Sequence, residues 1–166
     1  MRNCTVTRCS KLDIQPVAAV YLENLASATV SGFSCYSNLV PCLKLVGIPG
    51  PTLRLSTFVN NSHDGVGTVS VGATSTVGVV EDCNFENNTS SRDGGDLDVS
   101  SGDVTALRCR FVGSSAMRGG AINSNSATVL SVVDSTIESS SAEIGGAIYC
   151  SDGVNLRNVT VRLFRS

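Results

Sequence analysis

A chain of 166 residues with a formal charge of −2, 42% hydrophobic residues, 5% aromatics and no Trp has the size and balance of one ordinary soluble domain. It contains no run of eighteen apolar residues, so no helix is expected to span a membrane. Its 12 basic residues are outnumbered by 14 acidic ones, which leaves no basic footprint for nucleic acid. With 24 Ser, 13 Thr, 16 Gly and 22 Val against 4 Pro, the composition favours many short strands and tight turns over long helices.

At the N-terminus, Met1-Arg2 runs directly into Asn3-Cys4-Thr5 without an apolar stretch, so no secretory signal is expected. The seven Cys (4, 9, 35, 42, 83, 109 and 150) form no CxxC pair, and an odd count cannot close into a complete disulfide framework. Cys4/Cys9 and Cys35/Cys42 lie close together at turns and are the disulfide candidates. Cys83 and Cys109 are expected to stay free, because side chains stacked in parallel register keep their Cβ atoms farther apart than a disulfide allows.

From here the chain repeats. Taking Cys4-Thr5-Val6, Ser31-Gly32-Phe33, Ser56-Thr57-Phe58, Cys83-Asn84-Phe85, Cys109-Arg110-Phe111, Ser135-Thr136-Ile137 and Val159-Thr160-Val161 in register, the last apolar residue recurs at spacings of 27, 25, 27, 26, 26 and 24. Half a period away, Leu43, Val69, Leu97, Ile122 and Ile148 recur at 26, 28, 25 and 26. A third cluster, Leu53/Leu55, Val77/Val79, Val104/Ala106, Leu130/Val132 and Val154/Leu156, precedes the first column. Apolar residues alternate with polar ones inside each cluster, which is the period of a strand with one buried face.

Three short strands and three turns per unit of ~26 residues, repeated about six times, predict an all-β right-handed parallel β-helix. Coils stacked at ~4.8 Å would bond to one another through their backbones, and like residues would form interior ladders. Phe33, Phe58, Phe85, Phe111 and Ile137 make one such ladder. The small residues two positions earlier face inward beside it. Asn3, Asp82, Asp134 and Asn158, one position before those, suit a left-handed corner. A leucine-rich repeat needs a Leu frame that the 13 Leu do not keep, a hexapeptide helix needs an 18-residue coil, and a β-sandwich has no reason to hold columns in register over six units.

The pairs Phe58-Val59-Asn60-Asn61 and Phe85-Glu86-Asn87-Asn88, with Gly119-Gly120-Ala121-Ile122 and Gly145-Gly146-Ala147-Ile148, resemble the FxxN and GGAI repeats of polymorphic outer membrane proteins. Similar repeats occur in right-handed β-helix proteins of pectate-lyase-like shape. Three coils depart from the pattern: Ser114 stands where Asn would, Gly94-Gly95 is followed by Asp96-Leu97, and the Gly65-Val66-Gly67 coil is irregular. The resemblance implies an extracellular surface or adhesin-type segment with no cofactor and no established catalytic residue. The chain reads as one segment, residues 1–166, of a longer solenoid, whose ends would meet flanking coils or associate end to end.

Candidate chemistry centres on Arg92-Asp93-Gly94-Gly95-Asp96-Leu97-Asp98. Alternation would project Asp96 and Asp98 from one outward strand face, where with Asp93 they form a weak candidate for Ca²⁺ or for acid–base work on a glycan. The equivalent residues in the next coils are Ala121 and Asn123, then Ala147 and Tyr149, so the acidic cluster does not extend. His63, the only histidine, lies in a turn beside Asp64 and is read as a loop residue. Asn3, Asn60, Asn87, Asn88 and Asn158 head N-x-Ser/Thr sequons and are candidate glycosylation sites, with Asn87 and Asn88 expected in an exposed turn. The functional expectation is a non-catalytic scaffold, extracellular or on the cell surface, that binds a protein or glycan through its outer faces. The alternative is a carbohydrate-active lyase or hydrolase using Asp93, Asp96 and Asp98.

Overall fold

The computed structural model describes residues 5–7, 18–125 and 129–162. Asn3 and the Cys4/Cys9 pair lie outside them. The chain winds as a parallel β-solenoid of about five turns at ~26-residue spacing, with no helix among the described residues. The successive parallel crossovers take the right-handed sense that twisted strands favour.

One coil illustrates the rest: Val69–Ala73, Gly78–Glu81, Asn84–Glu86 and Thr89–Ser90 follow in order, each joining a different sheet. The coil is therefore four-sided rather than three-sided. The first, second and third sheets have six, six and seven strands, and the fourth, a narrow wall absent from the expected pattern, has four: Ser62–His63, Thr89–Ser90, Ser115–Arg118 and Ser141–Ile144. Two-residue strands carry too little alternation to show in a sequence.

The corners explain the residue types between the strands. Gly32, Leu55, Asp82, Arg108, Asp134 and Asn158 all turn the chain from the second sheet to the third with φ between 49° and 64°. Asn60, Asn87, Gly113 and Ser139 do the same from the third to the fourth, at φ from 53° to 67°, and Ser37 takes the same conformation after the third-sheet strand Ser34–Tyr36. Gly, Asn and Asp adopt this left-handed region at least cost, which is why they recur there. Two long side chains share this corner: Arg108 is tied to Glu81 and Asp82, whereas Leu55 holds φ 51° with 60% of its surface exposed and gains little from burial to offset the strain.

The Leu43, Val69, Leu97, Ile122 and Ile148 column pairs residue for residue as the spacing predicts. In the aromatic column Phe58, Phe85, Phe111 and Ile137 pair directly, and the Phe58/Phe85 and Phe85/Phe111 rings stack with centroids 4.9 and 5.0 Å apart and planes within 11° and 10°. Phe33 departs from the expected register. Cys35 is the residue opposite Phe58, and Phe33 stands two positions earlier at the corner, where its amide bonds Ser56 Oγ at 3.1 Å. A shift of two preserves the inward face, so Phe33 remains fully buried, but its ring meets Phe58 tilted by 46° at 5.8 Å.

The third cluster is corrected in two coils: Leu55 lies past its strand at an exposed corner, leaving Leu53 level with Ala106, and in the next coil the pair shifts by one residue. Val80, not Val79, pairs with Leu53 and Ala106, and Val77 is exposed. Because strand side chains alternate, that single step exchanges the buried and solvent faces. The Cys35–Cys42 disulfide forms, while Cys83 and Cys109 are buried free thiols. Their mutual contact and burial raise the Cys83 thiol, while the bond from Cys83 lowers that of Cys109, and both side chains fill the core at 3% exposure.

Two substitutions test this reading of the walls and corners. Phe85→Ala, in the middle of the stacked ladder, should cost about 3–5 kcal/mol in urea unfolding. Leu55→Asn should raise stability by about 0.5–1 kcal/mol, since Asn tolerates the left-handed corner.

Candidate functional site

Entry into the first sheet is the same in the last three coils. A glycine at positive φ (Gly94, 61°; Gly119, 60°; Gly145, 65°) reverses the chain, and a second glycine follows where the coils touch. A Cβ on Gly120 would lie 2.3 Å from the carbonyl oxygen of Gly146, so no side chain fits between them. The chain then forms a bulge-like step in which two successive amides share one carbonyl. Asp96 and Leu97 both donate to Ala121 O at 3.0 Å, and Ala121 and Ile122 both donate to Ala147 O.

That step breaks the alternation and places two consecutive side chains inside. Ala121 and Ile122 are fully buried in one coil, Asp96 and Leu97 in the coil before it. Asp96 therefore does not share an outward face with Asp98 as alternation predicts; it occupies the interior position that the two following coils give to Ala121 and Ala147 and the two preceding ones to Thr68 and Cys42. The signal was present in the comparison of Gly94-Gly95-Asp96-Leu97 with the two GGAI segments, where the small apolar residue marks an inward site.

Inside, Asp96 ends a hydrogen-bonded ladder. The fourth residue of each FxxN segment points inward, so Asn38, Asn61 and Asn88 line up along the solenoid, all fully buried. Asn38 Nδ2 donates to Asn61 Oδ1 at 3.2 Å, Asn61 Nδ2 to Asn88 Oδ1 at 2.9 Å, and Asn88 Nδ2 to Asp96 Oδ1 at 2.9 Å. The same carboxylate oxygen accepts from Ser114 Oγ at 2.6 Å, while Asp96 Oδ2 has no partner. In the next coil Ser114 is too short to offer the carbonyl oxygen that an Asn would extend to Asn88, and Asp96 supplies the missing acceptor. These two departures from the repeat pattern are thus one structural exchange. Burial pushes the Asp96 carboxyl up to about 7, against the lowering effect of its bonds from Ser114 and Asn88.

The other two aspartates face elsewhere. Asp93 forms a two-pronged ion pair with Arg118 of the next coil, at 2.8 Å to Nε and 2.6 Å to Nη2, and Arg118 lies 5.3 Å from the Tyr149 ring centre. Asp98 sits on the outer side of the first sheet but is 5% exposed, because the chain around Gly67 packs over it. It accepts from Asn123 Nδ2 at 2.7 Å and Ser70 Oγ at 3.3 Å, and burial raises its carboxyl above the usual range. The three carboxylates do not converge on a common point, and no group of three His, Cys, Asp or Glu suited to a metal ion occurs among the described residues.

His63 is 6% exposed rather than a solvated loop residue. Thr68 Oγ1 lies 2.8 Å from Gly95 O, to which it donates, so at 3.3 Å it accepts from His63 Nε2–H and leaves Nδ1 without a partner. Burial pushes the imidazole down to about 4, so it is neutral at pH 7. Beside it, on the outside of the fourth sheet, lies a shallow groove of about 410 Å³ lined by Leu39, Ser62, His63, Asp64, Thr89 and Ser91.

The sequons divide sharply. Asn60, Asn87 and Asn158 are exposed at left-handed corners, whereas Asn88 is fully buried in the ladder and has no room for a glycan. Among the described residues no helix is long and apolar enough to cross a membrane. No protein-family model, curated protein or solved structure matches this chain. What the fold and interior define is a class: a parallel β-solenoid with a mixed aromatic and asparagine core.

The exchange between Asp96 and Ser114 is testable by a double-mutant cycle at pH 5, where Asp96 is protonated. Ser114→Asn crowds Asp96, and Asp96→Ala removes the acceptor of Asn88, so each should destabilise alone. Together they restore the arrangement of the neighbouring coils, and the double variant should exceed the sum of the singles by about 1–2 kcal/mol.

Proposed function

We propose that this chain is a non-catalytic solenoid scaffold, extracellular or on a cell surface, that presents its outer faces to a protein or glycan ligand. The observation that carries the reading is the fate of the Asp93–Asp98 carboxylates, each of which is held by donors of the protein itself. A glycoside hydrolase needs two carboxyl groups flanking an open cleft, and a lyase needs charged groups from adjacent coils to meet substrate. Asp96 reaches only the interior, and Asp93 is neutralised by Arg118.

The outer walls suit binding. Ser62, Thr89, Ser115 and Ser141 stand opposite one another along the fourth sheet, a row of small hydroxyls at one per coil beside the Leu39 groove. Such a row pairs hydrogen-bonding groups with a rigid spacing of ~4.8 Å. The Cys35–Cys42 disulfide supports an oxidising compartment. The likeness of the FxxN and GGAI segments to polymorphic outer membrane protein repeats supports a surface role.

Two assays separate the readings. Incubation with pectin-like and other acidic polysaccharides should give no depolymerisation above the buffer blank; turnover abolished by Asp98→Asn or Asp93→Asn would overturn the scaffold reading. On a glycan array, or against candidate surface proteins, binding should fall at least tenfold in Thr89→Arg, which projects a bulky charge from the centre of the hydroxyl row.

A further inference from the structure

We propose that Asp96 is a proton-dependent latch on the Ser91–Asp96 turn: held inside as the neutral acid it lets the turn close over the asparagine ladder, and its ionisation loosens that turn. Asp96 has no exposed surface, its Oδ1 is occupied by two donors, and its Oδ2 faces the interior with no donor at all. A buried carboxylate keeps its charge only with a cation or several donors, and otherwise takes up a proton.

Among the described residues, no cation reaches it. Within its own coil, Asp93 and Asp98 are held on the outer side of the wall, Asp93 by Arg118 and Asp98 by Ser70 and Asn123. In the preceding coil His63 is directed to Thr68 and stays neutral, while Lys44, two coils back in line with Ser70 and Asp98, acts on Asp98 rather than on Asp96. From the following coil the group that meets Asp96 is the uncharged Ser114. Burial raises the carboxyl, and only uncharged hydrogen-bond partners oppose it.

The element that responds is also defined. The turn is pinned on one side by Asp93 and Arg118, whose bridge joins neighbouring coils, and on the other by the shared carbonyl of Ala121. Gly94 and Gly95 between these anchors donate to Arg118 O and Gly120 O at 2.9 and 3.1 Å, so loosening the turn means giving up bonds to the following coil, and Ser90 Oγ, which accepts from the amide of Arg92 at 3.1 Å, marks the start of the moving part. The proton on Asp96 thereby governs both the polar ladder inside and the Asp93–Arg118 pair outside.

The sign follows from linkage. A carboxyl raised in the folded state contributes full stability at low pH and loses it as pH rises toward about 7. His63 acts in the opposite sense: its lowered value makes stability rise with pH between about 4 and its ordinary 6.5, so the wild-type curve alone is not diagnostic. The comparison is therefore wild type against Asp96→Asn, which copies the shape and bonds of the neutral acid but cannot ionise.

Urea unfolding of both proteins from pH 4.5 to 8.5 should show the ratio of their unfolding constants changing about tenfold per pH unit below 7 and levelling above it, with wild type the weaker at high pH. Infrared difference spectra at pH 6 should carry a protonated-carboxyl stretch in wild type that is missing from Asp96→Asn. Amide exchange, corrected for its intrinsic pH dependence, should quicken over residues 91–97 above pH 7.5 in wild type alone. A pH-independent ratio, or no protonated-carboxyl band at pH 6, overturns the proposal.

Discussion

The structure rests on backbone pairing between successive coils. Each strand donates and accepts along its whole length to the coil on either side, so corresponding residues are held at ~4.8 Å and every coil must present the same outline as its neighbours. A side chain that suits one coil is therefore set directly against its counterpart in the next. Like then stacks on like: Phe58, Phe85 and Phe111 in one column, Leu97, Ile122 and Ile148 in another. A departure in one coil has to be answered within the same coil or the adjoining one.

The asparagine ladder shows how such an answer is built. Amide side chains can run as a chain of donors and acceptors because each offers both functions in the direction of stacking. Where the chain changes from Asn88 to Ser114, the acceptor is lost, and an aspartate placed where the two following coils hold alanine restores it. The cost is a buried acid with one oxygen unpartnered. Sequence logic that treats Ser114 and Asp96 as two separate irregularities misses that they are halves of one arrangement.

Seen this way, the acidic stretch Asp93–Asp98 is architecture before it is chemistry. Its three carboxylates serve an ion pair between coils, an interior hydrogen-bond terminus and a cross-strand network under a loop. Of the outer walls, the fourth sheet carries a straight row of small hydroxyls, Ser62, Thr89, Ser115 and Ser141, whereas the second and third sheets mix hydroxyls with charged residues such as Arg54, Glu81, Glu86 and Arg110. The overlapping sequons have a similar origin: Asn at the left-handed corner, Asn or Ser in the ladder, and Ser or Thr on the fourth sheet are each required by local geometry.

The sequence by itself determined the fold class, the ~26-residue period, the Leu43-to-Ile148 column, the central aromatic ladder, and the turn-forming role of Asp82, Asp134 and Asn158. These are legible because a parallel stack converts structure into strict spacing. Only the tertiary structure decided where that spacing slips: the two-residue offset that sets Cys35 opposite Phe58, the single step that buries Val80 in place of Val79, and the fourth wall of two- to four-residue strands. It also decided the facing of Asp96, because the shared-carbonyl step after Gly94-Gly95 interrupts strand alternation, and alternation is all that a sequence can apply when assigning faces.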